Sequence, residues 1–331
     1  MMRKKIILAC MAVMAACLLW LVRDRWYLPP VQEAEHEGLR VGLSQTEALT
    51  PWKTAQIKSF KEAARRRGAQ LVYNVPEEES LEWQLEDIYS LMDSDIDYLI
   101  LVPAARTGYD QALAAARERG IPVILAEQDV ELDPEYHRED YILGYVASDY
   151  FAEGELCADI LSGHFGIEPC HIMVIQGEKS SAMEWERYMG FMHGVREHSN
   201  LYISKRVENS GDRLAAQKVT ESVIADQDID FNAVFAQSDE DGLGALQAFK
   251  LAEITPGEDV SIVSIGGIQD VFKAIIAQEY LATVKSSPEY GDIVFDIINR
   301  DQRGERMDEQ TVLKHQIYTI DNAEESFDDA Y

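Results

Sequence analysis

Residues 98–125 read YLILVPAARTGYDQALAAARERGIPVIL, and this stretch decides the fold. Tyr98-Leu-Ile-Leu-Val102 is apolar without a break. A half-exposed strand would alternate, so a continuous run marks a strand covered on both faces. A helical segment runs to Gly120, and Ile121-Pro-Val-Ile-Leu125 is the next such strand. Two buried strands joined by a helix form a parallel pair with a right-handed crossover.

Outward from this unit the same alternation holds. On the N-terminal side, strands are predicted at 39–43 and 70–73. Between them a helix over 52–67 places Trp52, Ile57, Phe60 and Ala64 on one face and ends at Gly68. Leu81, Leu85, Ile88 and Met92 recur at helical spacing. This is βαβαβαβ. The pattern then restarts with a helix over 150–164 and strands at 172–175, 202–207, 233–236 and 261–265. Helices over 181–198, 213–225, 239–252 and 268–277 separate them, and a strand at 281–285 leads to a helix over 288–302. Two α/β units of similar size predict two doubly wound parallel-sheet lobes.

In such sheets ligands bind beyond the carboxyl ends of the strands. The residues there are Ser44-Gln45-Thr46, Pro103-Ala104-Ala105, Glu127-Gln128-Asp129, Gln176-Gly177-Glu178, Gln237-Ser238-Asp239 and Gly266-Gly267. Two lobes that face each other with these small polar edges make a cleft. Any one of these segments also reads as an ordinary solvated loop.

The 331 residues are 47% hydrophobic and carry a net charge of −29, so a large core forms and global disorder is excluded. A surface this acidic repels phosphate backbones and anionic lipid, which argues against nucleic-acid binding. Residues 1–30 differ. Arg3, Lys4 and Lys5 precede Ile6 to Val22, seventeen residues without a charge, and Arg23, Asp24 and Arg25 close the run. It is read as a signal anchor or signal peptide over 1–30, basic side inward, followed by an acidic linker over 31–38. Met14-Ala15-Ala16-Cys17 also loosely matches a lipobox, with the lipid on Cys17. Each reading exports the remainder to the outer face of the cell membrane, periplasmic or extracellular, where Cys157 and Cys170 are open to pairing.

The motifs, in their order, resemble the type I periplasmic sugar-binding proteins, the ribose- and galactofuranose-binding branch of ABC-transporter solute receptors. The resemblance covers about residues 39–320. It is carried by Val41-Gly-Leu-Ser-Gln45 with Pro51-Trp52-Lys53, Leu101-Val-Pro-Ala104, Gly120-Ile-Pro-Val-Ile124 and Val146-Ala-Ser-Asp149 with Gly154. It continues through Glu186-Arg187 with Gly190-Phe191, Phe235-Ala-Gln-Ser-Asp239 with Gly244-Ala245, and Ala282-Thr283-Val284 to Pro288. The resemblance implies a periplasmic binding protein type I fold, two lobes joined by a three-strand hinge. Lobe one would be 38–147 plus 287–314, and lobe two 148–286 plus 315–331. It also implies a sugar trapped by hinge closure, with no cofactor.

Carried over position by position, the resemblance assigns ligand contacts to Trp52, Lys53, Glu127, Gln128, Arg187, Ser238, Asp239, Gly266 and Ser286. Arg187 matches the family's arginine outright. Lys53 stands for an arginine, Glu127-Gln128 for an Asp-Arg pair, Ser238 for an asparagine and Gly266 for an aspartate. These departures point away from the usual pentose or hexose, or to a different set of contacts. Trp185 is a candidate new stacking face. Each candidate has a plainer role. Arg187 could pair on the surface with Glu184 or Glu186, Trp52 could pack or cap its helix, Asp239 could cap the next one, and Trp185 could be a core or interface residue.

Enzyme readings find no support. There is no P-loop and no nucleophile elbow, and Gly242-Leu-Gly244 lies inside a predicted helix. The seven histidines show no metal-ligand spacing. The expected function is a solute-binding protein that captures a small sugar or polyol for an ABC permease. The alternative is a membrane-anchored sensor that passes its closure to a histidine kinase or chemoreceptor.

Overall fold

The computed structural model describes residues 38–45, 51–74, 80–177, 182–209, 212–226, 230–305 and 310–331. The expected membrane segment and most of the linker lie outside the described residues. Among the described residues no helix is long and apolar enough to cross a membrane.

Two six-stranded sheets organise the chain. The first contains β1 (Arg40–Ser44), β2 (Gln70–Tyr73), β3 (Tyr98–Leu101), β4 (Val123–Ala126), β5 (Ile142–Ser148) and β11 (Gln310–Leu313), in the order β11-β5-β4-β3-β1-β2. All its pairs are parallel. The second contains β6 (Cys170–Gln176), β7 (Leu201–Glu208), β8 (Ala233–Ala236), β9 (Ser261–Gly266), β10 (Ala282–Lys285) and β12 (Ile317–Thr319), in the order β12-β10-β9-β8-β6-β7. Only β12 runs antiparallel, against β10. Both are α/β sheets wound with helices, as the alternation of apolar runs and amphipathic segments requires.

The helices are α1 (Pro51–Arg66), α2 (Leu81–Met92), α3 (Asp110–Glu118), α4 (Tyr150–Phe165), α5 (Ala182–Glu197), α6 (Arg213–Ala225), α7 (Asp239–Leu251), α8 (Gln269–Ile276) and α9 (Gly291–Gln302). Side-chain caps set several starts. Ser80 accepts from Trp83 N, Asp149 from Ala152 N, Asp212 from Ala215 N and Ser238 from Asp241 N. Strands β3, β4 and β8 are buried at every position, as their unbroken apolar runs predict. The core lies on the sheet faces. Leu99, Leu101, Leu113 and Val123 pack in the first unit. In the second, Val234, Phe249 and Phe272 fill one face, and Val174, Phe191 and Phe235 the other.

The chain passes between the sheets three times, at Ser148 to Tyr150, Lys285 to Gly291 and Leu313 to Ile317. These crossings bring the carboxyl ends of the two sets of strands together. Cys157 and Cys170 are both free and buried.

Candidate functional site

The site begins at the end of β4. The strand delivers Glu127, whose φ of +70° is in the left-handed region. A non-glycine residue held there costs about 1–3 kcal/mol and persists where its surroundings over-determine it. Here they do. The Glu127 carbonyl accepts from the Tyr150 hydroxyl at 2.7 Å and the Tyr145 hydroxyl at 3.2 Å. Its carboxylate accepts from Lys53 Nζ at 2.5 Å and Gln56 Nε2 at 3.1 Å, both on α1. Lys53, Gln56 and Glu127 are all buried. A buried charge is tolerable only when it is paired and hydrogen-bonded, and this carboxylate is both.

The second sheet supplies a matching pair. Arg187 on α5 is 6% exposed, and its Nε donates to Glu153 on α4 at 2.7 Å. One guanidinium nitrogen reaches the Gln237 carbonyl at 3.4 Å, and the other donates to the Ser286 hydroxyl at 2.9 Å. The guanidinium also lies 5.4 Å from the Tyr150 ring. Burial draws its pKa down, but the charge and hydrogen bond of Glu153 outweigh burial and raise it. Arg187 is therefore buried and paired with Glu153, not held in a surface ion pair.

Close helix packing makes this pair possible. A Cβ on Gly154 would lie 1.9 Å from the Arg187 carbonyl oxygen, and one on Gly190 would lie 1.8 Å from that of Phe151. The two glycines let α4 and α5 touch backbone to backbone, and Glu153, beside Gly154, then meets Arg187.

Trp52 and Ser286 join the halves. The Trp52 indole donates to the Ser286 carbonyl at 2.8 Å, while the Ser286 hydroxyl holds Arg187. The Trp52 ring sits edge-on to Tyr290 at 6.1 Å, with Lys53 Nζ 4.9 Å from its centroid. A cavity of about 140 Å³ opens beside this cluster, and Gln128, Tyr145, Tyr150, Met183 and Glu186 line it with Glu127. Burial raises the pKa of the Tyr145 and Tyr150 hydroxyls, which stay protonated donors at neutral pH, and raises that of Glu186.

The structure thus brings six of the expected residues together: Trp52, Lys53, Glu127, Gln128, Arg187 and Ser286. It sets four apart. Ser238 both caps α7 and donates to Asp241 at 2.8 Å. Asp239 does not cap the helix. Its carboxylate accepts from Ser264 Oγ, Thr283 Oγ1, Gly267 N and Ile268 N, so each oxygen holds two donors. Burial raises its pKa against those four bonds. Gly266 faces the same carboxylate, because a Cβ there would be 2.4 Å from Asp239 Oδ2. Trp185 is 47% exposed, with its ring 5.8 Å from Tyr188.

Several members escaped the sequence reading. Gln56, Glu153, Tyr145, Tyr150 and Tyr290 lie inside helices, a strand or a crossing, where they look like ordinary periodic positions. Gln45 is 5% exposed, and neither its amide nitrogen nor its oxygen has a partner. The sequence places Gln45 among the residues just after the strands, though the resemblance assigned it no contact. Among the described residues no group of three His, Cys, Asp or Glu side chains could hold a metal ion.

Known proteins share this fold. A family model, periplasmic binding protein domain, matches residues 41–305, and the chain belongs to that family. It is 27% identical to the galactofuranose-binding protein YtfQ of Escherichia coli strain K12, over 88% of this chain and 91% of that one. It is 24% identical to the ribose import binding protein RbsB of Bacillus subtilis strain 168, over 78% and 80%. Among solved structures it is similar to the periplasmic binding protein component of the arabinose ABC transporter from Shewanella sp. ANA-3, bound to α- and β-L-arabinofuranose. That match has a TM-score of 0.80 and 27% identity, covering 88% of this chain and 95% of the other.

Proposed function

We propose that this member of the periplasmic binding protein family captures a small neutral sugar or related polyol between its two sheets. The two halves, moving about the three crossings, close on it, and an ABC permease receives it. The carrying observation is the pair of buried ion pairs, Lys53–Glu127 on one side and Arg187–Glu153 on the other. Each pair neutralises itself, so these four side chains present oriented donors and acceptors without a net charge, beside a cavity that Arg106, Asp129, Glu131 and Glu186 also line. That suits a guest with many hydroxyls and no charge of its own. Trp52, Tyr145 and Tyr150 offer aromatic surface for the apolar face of a sugar ring. Relatives whose names record galactofuranose and ribose, and a similar structure holding arabinofuranose, support the same class. Lys53, Glu127, Gln128, Arg187, Ser286 and Trp52 are the proposed contacts, and no chemical step on the guest is proposed.

A second reading rests on the uncharged run Ile6 to Val22. Retained as an anchor, it would tether the binding unit beside a membrane histidine kinase or chemoreceptor. The N-terminal mass of the exported protein separates an anchor from a cleaved or lipidated form.

A thermal-shift screen over pentoses, hexoses, furanose-rich sugars and polyols tests the main reading. Ligand at a hundredfold excess over Kd raises apparent stability by about 2.7 kcal/mol. A set of neutral polyhydroxylated compounds that all leave the melt unmoved would refute it.

A further inference from the structure

Strand β8 ends at Ala236, and the next residue, Gln237, is 1% exposed. An amide buried this completely needs partners for its donor and its acceptor. It finds them on two other elements. Its Oε1 accepts from Gly177 N, just past β6, at 2.7 Å. Its Nε2 donates to the Glu184 carbonyl, in the first turn of α5, at 2.8 Å. The main chain is held as well, since Gln237 N donates to the Ile175 carbonyl at 3.2 Å.

Arg187 lies three residues beyond Glu184, so the two are neighbours on one side of the helix. The Gln237 carbonyl accepts from an Arg187 guanidinium nitrogen at 3.4 Å. One glutamine thus meets α5 twice, by side chain at Glu184 and by main chain at Arg187. The start of the helix rests directly on the end of β6, because a Cβ on Gly177 would run into the Glu184 carboxyl group. Gly154 and Gly190 set how closely α5 approaches α4, and Gln237 sets where the helix begins over the second sheet. Both matter to a planar fork that reaches Glu153 at 2.7 Å and Ser286 at 2.9 Å together. Such a group keeps its geometry only when its supports hold it within about 0.5 Å.

We propose that Gln237 is a positioning residue for Arg187: its side chain clamps the first turn of α5 to the ends of β6 and β8, and so aims the guanidinium at Ser286 and at the guest. The inference rests on the sugar-binding reading above, in which Arg187 contacts the guest. Gln237 itself touches no sugar. Its effect on binding therefore passes through Arg187 and disappears when the fork is gone.

The test uses the full chain, titrates D-ribose, L-arabinose, D-galactose and xylitol by calorimetry, and follows the tightest binder of the four. Gln237→Met keeps the side-chain volume and removes both of its bonds. It is expected to melt cooperatively and to weaken binding roughly ten-fold. The decisive reading is a double-variant cycle with Arg187→Lys. In that background Gln237→Met should cost no more than about two-fold further affinity. A merely structural role would weaken binding by the same factor in both backgrounds. That result, or parental affinity in Gln237→Met alone, would overturn the role of Gln237 and leave the sugar-binding reading standing. Should Gln237→Met fail to fold, Gln237→Glu takes its place in the cycle with the same two outcomes, since it keeps the acceptor for Gly177 N and loses only the donor to Glu184. If the parent binds none of the four, the sugar-binding reading fails for these compounds and this inference falls with it.

Discussion

The Arg187 guanidinium donates to the Ser286 hydroxyl across 2.9 Å, and this bond ties α5 to the segment by which the chain returns from the second sheet to the first. From the opposite side the Trp52 indole holds the Ser286 carbonyl at 2.8 Å. One serine thus receives a donor from each half of the molecule. In the proposed closing motion, a change in the angle between the halves would load one of these two bonds.

Arg187→Ala should both destabilise the protein and abolish binding. It leaves Glu153 buried without its cation, which costs about 3–5 kcal/mol. Arg187→Lys separates the two effects. The charge stays near Glu153, but the planar fork that also reaches Ser286 is lost. We expect a nearly parental melt with affinity for the best-binding sugar reduced at least ten-fold, measured by calorimetry. Parental affinity in Arg187→Lys would remove Arg187 from the site.

Lys53 and Glu127 should behave as a coupled unit. Lys53→Met strands the buried Glu127 carboxylate, which keeps Gln56 as a hydrogen-bond donor but loses its cation. A loss of about 3–5 kcal/mol is expected, and most of it should return in Lys53→Met with Glu127→Gln. Urea titrations of the parent, both single variants and the double variant measure the coupling. Additive losses would show that the pair is not a unit.

Gln45 should trade stability for affinity. Its buried amide has no partner in the unliganded protein, a state that costs about 1–3 kcal/mol. Gln45→Leu is expected to raise the melting temperature of the free protein and to shrink the shift caused by sugar. A lower melt for the free variant would mean that the amide is satisfied.

Gly154 should tolerate no side chain. A Cβ there would meet the Arg187 carbonyl oxygen at 1.9 Å, an atom of helical backbone that cannot swing aside. Gly154→Ala must push α4 and α5 apart, at a cost of about 1–3 kcal/mol or more. Because the shift also pulls Glu153 from Arg187, affinity should fall together with the melting temperature. A parental melt would place the helices farther apart than described.

Acid should stabilise the protein through Asp241. Burial lifts this carboxyl to about 6, against bonds from Asn209 and Ser238. The folded state therefore binds the proton more tightly than the unfolded chain. The stabilisation is fully present below about pH 4 and is lost as pH rises through about 6. It amounts to no more than roughly 3 kcal/mol. The melting temperature should rise when pH is lowered from 7 toward 5, and Asp241→Asn should flatten that slope. An unchanged slope in the variant would assign the effect to other groups.

Much of the fold was legible because its strands are buried on both faces. Tyr98-Leu-Ile-Leu101 and Ala233-Val-Phe-Ala236 must be apolar throughout, and that pattern has no competing explanation at that length. The strand Ile142–Ser148 was visible only as a motif at its end. Gly144 interrupts it, and alternate residues are partly exposed. The strand Gln310–Leu313 lies at the edge of its sheet with exposed and half-buried positions, so it carried no apolar run at all.

The sequence by itself determined the two-sheet α/β architecture and the place of Glu127 after a buried strand, because periodic burial and strand ends are written locally; Arg187 and Lys53 were singled out by the resemblance to the sugar-binding proteins. Only the tertiary structure decided who pairs with whom. Glu153 meets Arg187 from another helix through the bare surface of Gly154, and the Asp239 carboxylate turns inward to four donors from β9, β10 and the turn after β9. Such pairings depend on how far apart two backbones settle, a distance set by packing across the whole unit and recorded in no single stretch of chain.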